Sequence, residues 1–331
     1  MEPDILPGFT RETLTFRSDH EGVVTATVVR RPCDIPSRKA VLYVHGYVDY
    51  FFNRELADRF SDEGFDFYAI DLRKYGRSLL AHQSPNDTRA LETYFEDLDA
   101  AVDLIRRRDG HTFLLLVGHS TGGLTGALYA DARRDAGTID ALVLNSPFFD
   151  LNGSWLNEHV VSALASGLGA VRPGLLLPTG LSPLYVESLH KDFRGEWDFR
   201  LDWKPRESFP MTAGFVHAIR QGHARLHRGL RVDAPALVMF SSASSRPKAW
   251  DDILYTTDAV LDVADIELYA DRLGVRVAKA RIAGGVHDLV LSRRPVRDQV
   301  YREIFDWTRA KAGVPARSRP AARPAAEERR A

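Results

Sequence analysis

Cysteine is nearly absent from this 331-residue chain. The single Cys33 excludes an intrachain disulfide and suits a reducing, cytoplasmic compartment. Its setting, Arg-Arg-Pro-Cys-Asp, carries no mark of a nucleophile. Charge imbalance is absent too. The 44 basic and 45 acidic residues leave a formal net charge of −1, so nothing steers nucleic acid or an anionic membrane surface toward the molecule. Arginine far outnumbers lysine, a bias of composition rather than of phosphate binding. No apolar run approaches the ~18–20 residues of a membrane span. Residues 1–8 have neither the basic segment nor the apolar core of a secretory signal. No His/Cys/Asp cluster has ligand spacing and no glycine-rich phosphate loop follows the first strands, so neither metal nor cofactor is expected.

What is present is an ordinary globular composition, 44% apolar and 27% charged. Strands are expected at 12–16, 23–30, 40–44, 65–70, 113–117, 141–144, 236–240 and 275–282, with those at 40–44 and 141–144 of buried type. Helices are expected at 54–63, 89–108, 124–134, 266–273 and 296–312. In the second of these, Leu91, Tyr94, Phe95, Leu98, Val102 and Ile105 recur every three or four positions, the period of an amphipathic helix. Helices between consecutive buried strands require parallel crossovers, hence an α/β fold with a mostly parallel sheet covered on both faces. Residues 151–229 break the alternation. Rich in Pro, Gly and aromatics such as Trp155, Trp197 and Trp203, they read as a mostly helical cap inserted into a core of 1–150 and 230–312. Residues 313–331, mainly Pro, Ala, Arg and Glu without apolar periodicity, read as a disordered tail.

The run Val117-Gly118-His119-Ser120-Thr121-Gly122-Gly123 reads as a serine mounted for nucleophilic attack. An apolar strand that reverses into a helix within two residues leaves no space beside the turn. Glycine two before and two after the serine relieves that crowding and leaves the hydroxyl at the apex. A serine hydroxyl is a poor nucleophile without a base to take its proton. Of eleven histidines, His287 in Ile-Ala-Gly-Gly-Val-His-Asp lies just after a strand and would meet Ser120 at one sheet edge. His45 and His119 belong to backbone-shaping motifs, and His217, His223 and His227 lie in the cap. An acid should orient the imidazole, and it should follow the strand at 236–240. Asp258, ahead of a short apolar turn and a helix, is the first choice and Asp262 the second, with Asp251 and Asp252 nearby. Asp288, adjacent to the histidine, points elsewhere. The backbone N–H groups of Thr121 and of Tyr47, after His45-Gly46, are the expected oxyanion donors.

With His45-Gly46-Tyr47, the elbow at Ser120 and the late His287 in this order, the chain resembles the α/β-hydrolase superfamily. The run Asp71-Leu72-Arg73-Lys74-Tyr75-Gly76-Arg77-Ser78 is similar to that superfamily's Asp-x-Arg-Gly-x-Gly-x-Ser segment, with Lys74 where glycine is usual. The resemblance is strongest to the serine aminopeptidase-type branch, which includes monoacylglycerol lipases and lysophospholipases, and it spans about residues 12–312. It implies Ser120 as nucleophile, His287 as base and Asp258 as orienting acid. It implies a small-molecule, lipid-like ester substrate cleaved through an acyl-enzyme. The loop from Ser241 to Thr257 is longer than such relatives use before their acid. A lone Gly46, in place of a glycine-rich oxyanion loop, favours small or single-chain esters over triglycerides. The stretch 174–178, Gly-Leu-Leu-Leu-Pro, could line an acyl pocket or form cap core. Two alternatives remain. An aminopeptidase or amidase would need a cap acid for the substrate amine, with Glu158, Glu187, Glu196 and Asp198 available. A non-catalytic ligand-binding homologue would keep the fold without turnover.

Overall fold

Strand β4 (Lys39–Val44) buries every side chain from Ala40 onward, which only a strand covered on both faces can do. The computed structural model describes residues 1–151, 162–177 and 182–311. The remaining strands among them are β1 (Glu2–Pro3), β2 (Thr10–Asp19), β3 (Gly22–Arg31), β5 (Asp66–Asp71), β6 (Phe113–His119), β7 (Ala141–Asn145), β8 (Leu176–Leu177), β9 (Met211–Thr212), β10 (Ala236–Ser241) and β11 (Val277–Ile282). Nine of them form one sheet in the order β1-β2-β3-β5-β4-β6-β7-β10-β11, with β8 and β9 a separate antiparallel pair. From β5 to β11 every pairing is parallel. This is the α/β-hydrolase architecture, a mostly parallel sheet with helices on both faces.

The two-residue period of each strand sorts side chains between two cores. Ala40, Leu42 and Val44 of β4, with Leu114 and Leu116 of β6, join one core with Leu124, Ala127 and Leu128 of the helix Thr121–Ala132. Val41, Tyr43, Leu115 and Val117 point the other way, onto Leu56 and Phe60 of Arg54–Asp62 and onto Tyr301 and Phe305 of Arg294–Lys311. Each valine, leucine or phenylalanine among them, fully removed from water, stabilises the fold by about 1.5–3 kcal/mol. Because the strands are parallel, β4, β6, β7, β10 and β11 all end at one edge of the sheet. The loops that leave that edge carry His45, Ser120, Asn145, Asp258 and His287.

Strand β2 outruns the expected 12–16, and three helices differ from expectation by more than two residues at an end. The helix after the serine starts at Thr121 rather than 124, because the Ser120 carbonyl already accepts from the N–H groups of Gly123 and Leu124. The helix expected over 89–108 is α-helical at Thr93–Asp103 and widens to a π-helix at Leu104–Arg108. That wider turn keeps Ile105 buried, and its carbonyl accepts from the His111 N–H at 3.1 Å. The helix expected at 266–273 lies at Val263–Ala270, capped by Asp262.

Strands β7 and β10 are neighbours in the sheet, so the chain between them leaves and returns without adding a strand to it. Its described helices are Ser162–Val171, Pro183–Leu189 and Ala213–His227. It is anchored on the loops of the carboxyl edge: the Trp197 indole N–H donates to the Leu291 carbonyl at 2.9 Å, and the Arg200 N–H to the Tyr50 hydroxyl at 2.7 Å. Trp155, Glu158 and Pro178 lie outside the described residues, as does the segment 313–331. Leu175 and Leu176 of the 174–178 stretch are exposed, and Leu176 pairs with Thr212 in the β8–β9 ribbon.

Lys74 takes a left-handed backbone, φ 67°, which explains why glycine suits that position. Its ammonium is buried 2.8 Å from Asp19 and 2.5 Å from Glu21, an ion cluster that holds the β2–β3 turn onto the segment after β5.

Candidate active site

The strand–helix reversal at the end of β6 forces Ser120 to φ 52° and ψ −117°. A non-glycine residue held there costs about 1–3 kcal/mol, a strain that the surrounding structure must over-determine. Both flanking glycines are required by contact. A Cβ on Gly118 would lie 2.6 Å from the Gly122 carbonyl oxygen, and one on Gly122 would drive into the carbonyls of Val44 and His45. The elbow is fixed from the neighbouring strand, where the Asn145 carbonyl accepts from the Ser120 N–H at 3.1 Å.

His287 reaches this apex from the loop after β11. Its Nε2 lies 3.1 Å from Ser120 Oγ, and its Nδ1 lies 2.9 Å from Asp258 Oδ2. Asp258 is 0% exposed, and its other oxygen accepts from the N–H groups of Val260 and Leu261, both at 2.8 Å. Burial would raise its pKa, but attraction to His287, the His287 hydrogen bond and the two backbone donors together hold it below the usual carboxylate value. It therefore stays ionised toward the imidazole. Asp262, the second choice from sequence, instead accepts from the Ala264 N–H at 3.0 Å as a helix N-cap. Asp251 caps the short helix Asp252–Tyr255 in the same way.

Several contributors are not marked in the sequence. Asn145 donates from Nδ2 to Asp288 Oδ1 at 2.6 Å and accepts from the Leu289 N–H, tying the histidine loop to the elbow. Its place at the end of a strand neighbouring β6 is the one signal that pointed to it. Asp288 faces away from His287 and toward His119, whose Nε2 is 3.9 Å away. Tyr185, from the helix Pro183–Leu189, sets its ring edge-on to His287 with centroids 5.7 Å apart and accepts from the Asp288 N–H. Asp49 and Lys204 form a buried ion pair at 2.7 Å, joining the loop after β4 to the segment between β7 and β10.

On the other side of Ser120, Gly46 lets that loop close in: a Cβ there would stand 3.1 Å from Ser120 Cβ. Val48, two residues on, is left-handed at φ 48°. The Tyr47 ring packs against Phe215 at 4.6 Å. Among the described residues, neither the Tyr47 nor the Thr121 N–H has a hydrogen-bond acceptor. His45 holds the loop's root, its Nδ1 bonded to the Gly46 carbonyl and its Nε2 accepting from the Leu72 N–H at 3.0 Å.

Above Ser120 and His287 opens a pocket of about 300 Å³. Its wall is largely apolar, with Tyr47, Val48, Phe148, Met211, Phe215 and Leu261 among the lining side chains. Groups of metal-binding type do converge from remote positions, Asp49 with His119 and Asp288, and His20 with Glu21 and Asp87. A lysine ammonium already meets each group: Lys204 pairs with Asp49, and Lys74 with Glu21 and Asp87.

The histidines of the helix Ala213–His227 act as struts. His223 and His227 bond through Nε2 to the carbonyls of Phe148 and Phe149, each at 2.8 Å. His223 is buried and its Nδ1 has no partner among the described residues, so a proton there would create a stranded donor. Burial accordingly pushes its pKa from 6.5 down to about 3. Below pH 6.5 the unfolded chain takes up a proton that the folded chain refuses. The stability from neutral His223 is thus complete above pH 6.5 and drains away as pH falls toward 3. Relative to His223→Gln, the wild type should lose roughly 1 kcal/mol of unfolding free energy per pH unit below that point. Urea unfolding of both proteins across this window measures it, and parallel pH profiles would refute it.

Residues 35–243, more than half of the chain, match the family described as Serine aminopeptidase, S33. No curated protein matches the sequence. Among solved structures, the chain is similar to a soluble variant of the monoglyceride lipase from Saccharomyces cerevisiae in complex with a substrate analog. The identity is 18% and the TM-score 0.65, over 90% of this chain and 95% of that one. It is similar also to a monoacylglycerol lipase from Paleococcus ferrophilus, at 19% identity and TM-score 0.62 over 90% and 98% of the two chains. A thermostable carboxyl esterase from Bacillus coagulans, in complex with glycerol, gives 15% identity and TM-score 0.59 over 92% and 98%. At these identities the likeness is one of fold.

Proposed function

From a chain that belongs to the serine aminopeptidase S33 family of α/β-hydrolases, we propose the activity of a serine hydrolase that cleaves carboxylic esters with an apolar acyl group, in the manner of a lysophospholipase or monoacylglycerol lipase. The observation that carries the reading is the unbroken series Ser120 Oγ, His287 and Asp258, with Ser120 and His287 lining a largely apolar pocket and Asp258 buried behind them.

Ser120 Oγ attacks the ester carbonyl carbon while His287 Nε2 takes its proton. Asp258 holds the imidazole with Nδ1 protonated and stabilises the imidazolium. The carbonyl oxygen becomes an oxyanion held by the N–H groups of Tyr47 and Thr121, at the positive end of the helix that Ser120 starts; one such donor is typically worth ~2.7–4 kcal/mol. The intermediate collapses as His287 returns the proton to the departing alcohol. Water, deprotonated by His287, then attacks the acyl-enzyme, and the carboxylic acid leaves with Ser120 restored. The described part of the chain between β7 and β10 contributes Tyr185, Met211 and Phe215 to the pocket wall, and as a cap it selects the acyl group.

The aminopeptidase alternative needs a free carboxylate for the substrate's ammonium. Glu187 is paired with Arg206, Glu196 with Arg297 and Asp198 with Lys191, and the pocket's single lining carboxylate among the described residues, Asp49, is paired with Lys204. That pairing favours the ester. Incubation with a fluorophosphonate probe and peptide mass analysis test the reading. Stoichiometric modification of Ser120 is the expected outcome, and a ligand-binding homologue without turnover would stay unlabelled there.

A further inference from the structure

Positive charge is concentrated around the pocket. Among the described residues, four cationic side chains line it, Lys204, Arg206, Arg246 and Lys248, against the one carboxylate of Asp49. Two of the four are already matched, Lys204 by Asp49 and Arg206 by Glu187 and Glu207. Arg246 and Lys248 are exposed and form no ion pair with a described residue. Arg246 reaches only the Val260 carbonyl, at 3.4 Å, and the field of Asp265.

Both stand on the loop after β10 (Ala236–Ser241) that leads to Asp258. Its base is fastened to the acid of the site. The Asp258 carbonyl accepts from the Ser245 N–H at 2.9 Å, and the Ala243 carbonyl accepts from the Asp258 N–H at 2.9 Å. Ser245 and Thr257 hydroxyls meet at 2.6 Å, and Ser244 Oγ accepts from the Val263 N–H at 2.9 Å. The loop is therefore fixed at its root. It brings Arg246 and Lys248, without ion-pair partners among the described residues, to the pocket on a backbone tied to Asp258, and through it to His287.

We infer that Arg246 and Lys248 select esters bearing an anionic group, a carboxylate or a phosphate, placed at the pocket mouth while the apolar part lies on the inner wall. This rests on the ester-hydrolase reading above and narrows its substrate class. An exposed cation attracts a bound anion modestly and is screened by salt, but two acting on one group, in a pocket with apolar walls, discriminate usefully.

The test compares kcat/KM within two matched pairs. One pair is a monoacylglycerol and its phosphorylated counterpart, the acylglycerol phosphate with the same chain. The other is p-nitrophenyl octanoate and mono-p-nitrophenyl suberate. The anionic member of at least one pair is expected to be preferred about tenfold, and the pair that shows it identifies phosphate or carboxylate as the group held. The double variant R246E/K248E should lower that anionic-to-neutral ratio by about tenfold or more, and added sodium chloride should compress it in the wild type. Neutral members turned over without an anionic preference in either pair, or a ratio indifferent to R246E/K248E, would overturn this inference while leaving ester hydrolysis standing. Failure to turn over any of the four, with no fluorophosphonate adduct, would overturn the ester-hydrolase reading itself and this inference with it.

Discussion

Ser120→Ala is expected to lower kcat on a p-nitrophenyl acyl ester by roughly a millionfold, leaving only what binding and the oxyanion donors contribute. The variant removes the one atom that forms the covalent bond and strands His287 Nε2, which has Ser120 Oγ at 3.1 Å. KM should change little, because the apolar wall of the pocket is untouched. Folding should change little too. The strained φ of 52° is as hard for alanine as for serine, and the side chain makes no other hydrogen bond with a described residue. Unfolding temperatures of the two proteins should therefore agree closely. Retention of even a tenth of the wild-type kcat would remove Ser120 from the mechanism.

Asp258→Asn should reduce kcat by about ten-thousandfold, while Asp262→Asn should leave it within a factor of about two. Oδ1 of Asp258 is committed to the N–H groups of Val260 and Leu261. An asparagine would keep its carbonyl oxygen on those donors and so turn its NH2 toward His287 Nδ1. Facing a donor, Nδ1 must become the acceptor, and the ring proton moves to Nε2. His287 then cannot accept the Ser120 proton. Asn at 262, by contrast, is an equally good helix N-cap and lies on no path to the histidine. Steady-state kinetics of the two variants, with fluorophosphonate labelling rates, separate the roles. Equal losses at both positions, or a larger loss at 262, would reverse the assignment.

Much of the molecule was legible from local chemistry. Runs such as Ala40 to Val44 and Leu114 to Val117 are apolar at every position, and a buried parallel strand is what satisfies them. The glycines around Ser120 announced a turn too tight for a Cβ, and that turn exists with its serine in a left-handed conformation. His287 was identified by its place after a strand, since parallel strands deliver their trailing loops to one edge. Less legible were boundaries where hydrogen bonding overrides pattern, such as the π-helix at Leu104–Arg108, whose apolar period continues through the wider turn. The leucines of 174–178, left open between pocket wall and cap core, divide: Leu177 packs against the larger core, whereas Leu175 and Leu176 are exposed, because an apolar triplet says what would gain from burial, not that a wall exists to bury it.

By itself, the order of residues determined the parallel sheet, the elbow and the histidine that trails β11, because each is set by contacts within a few positions or by a strict periodicity. Only the folded chain sets Asp258 against His287 Nδ1 and leaves Asp262, four residues on, as a helix N-cap. It also decided that Asn145 and Asp288 clamp the histidine loop, that Lys204 pairs with Asp49 in the pocket wall, and that Arg246 and Lys248 line it without an ion-pair partner among the described residues. Those outcomes depend on where side chains from distant loops converge, and a carboxylate's role follows from the donors that surround it in space rather than from its neighbours along the chain.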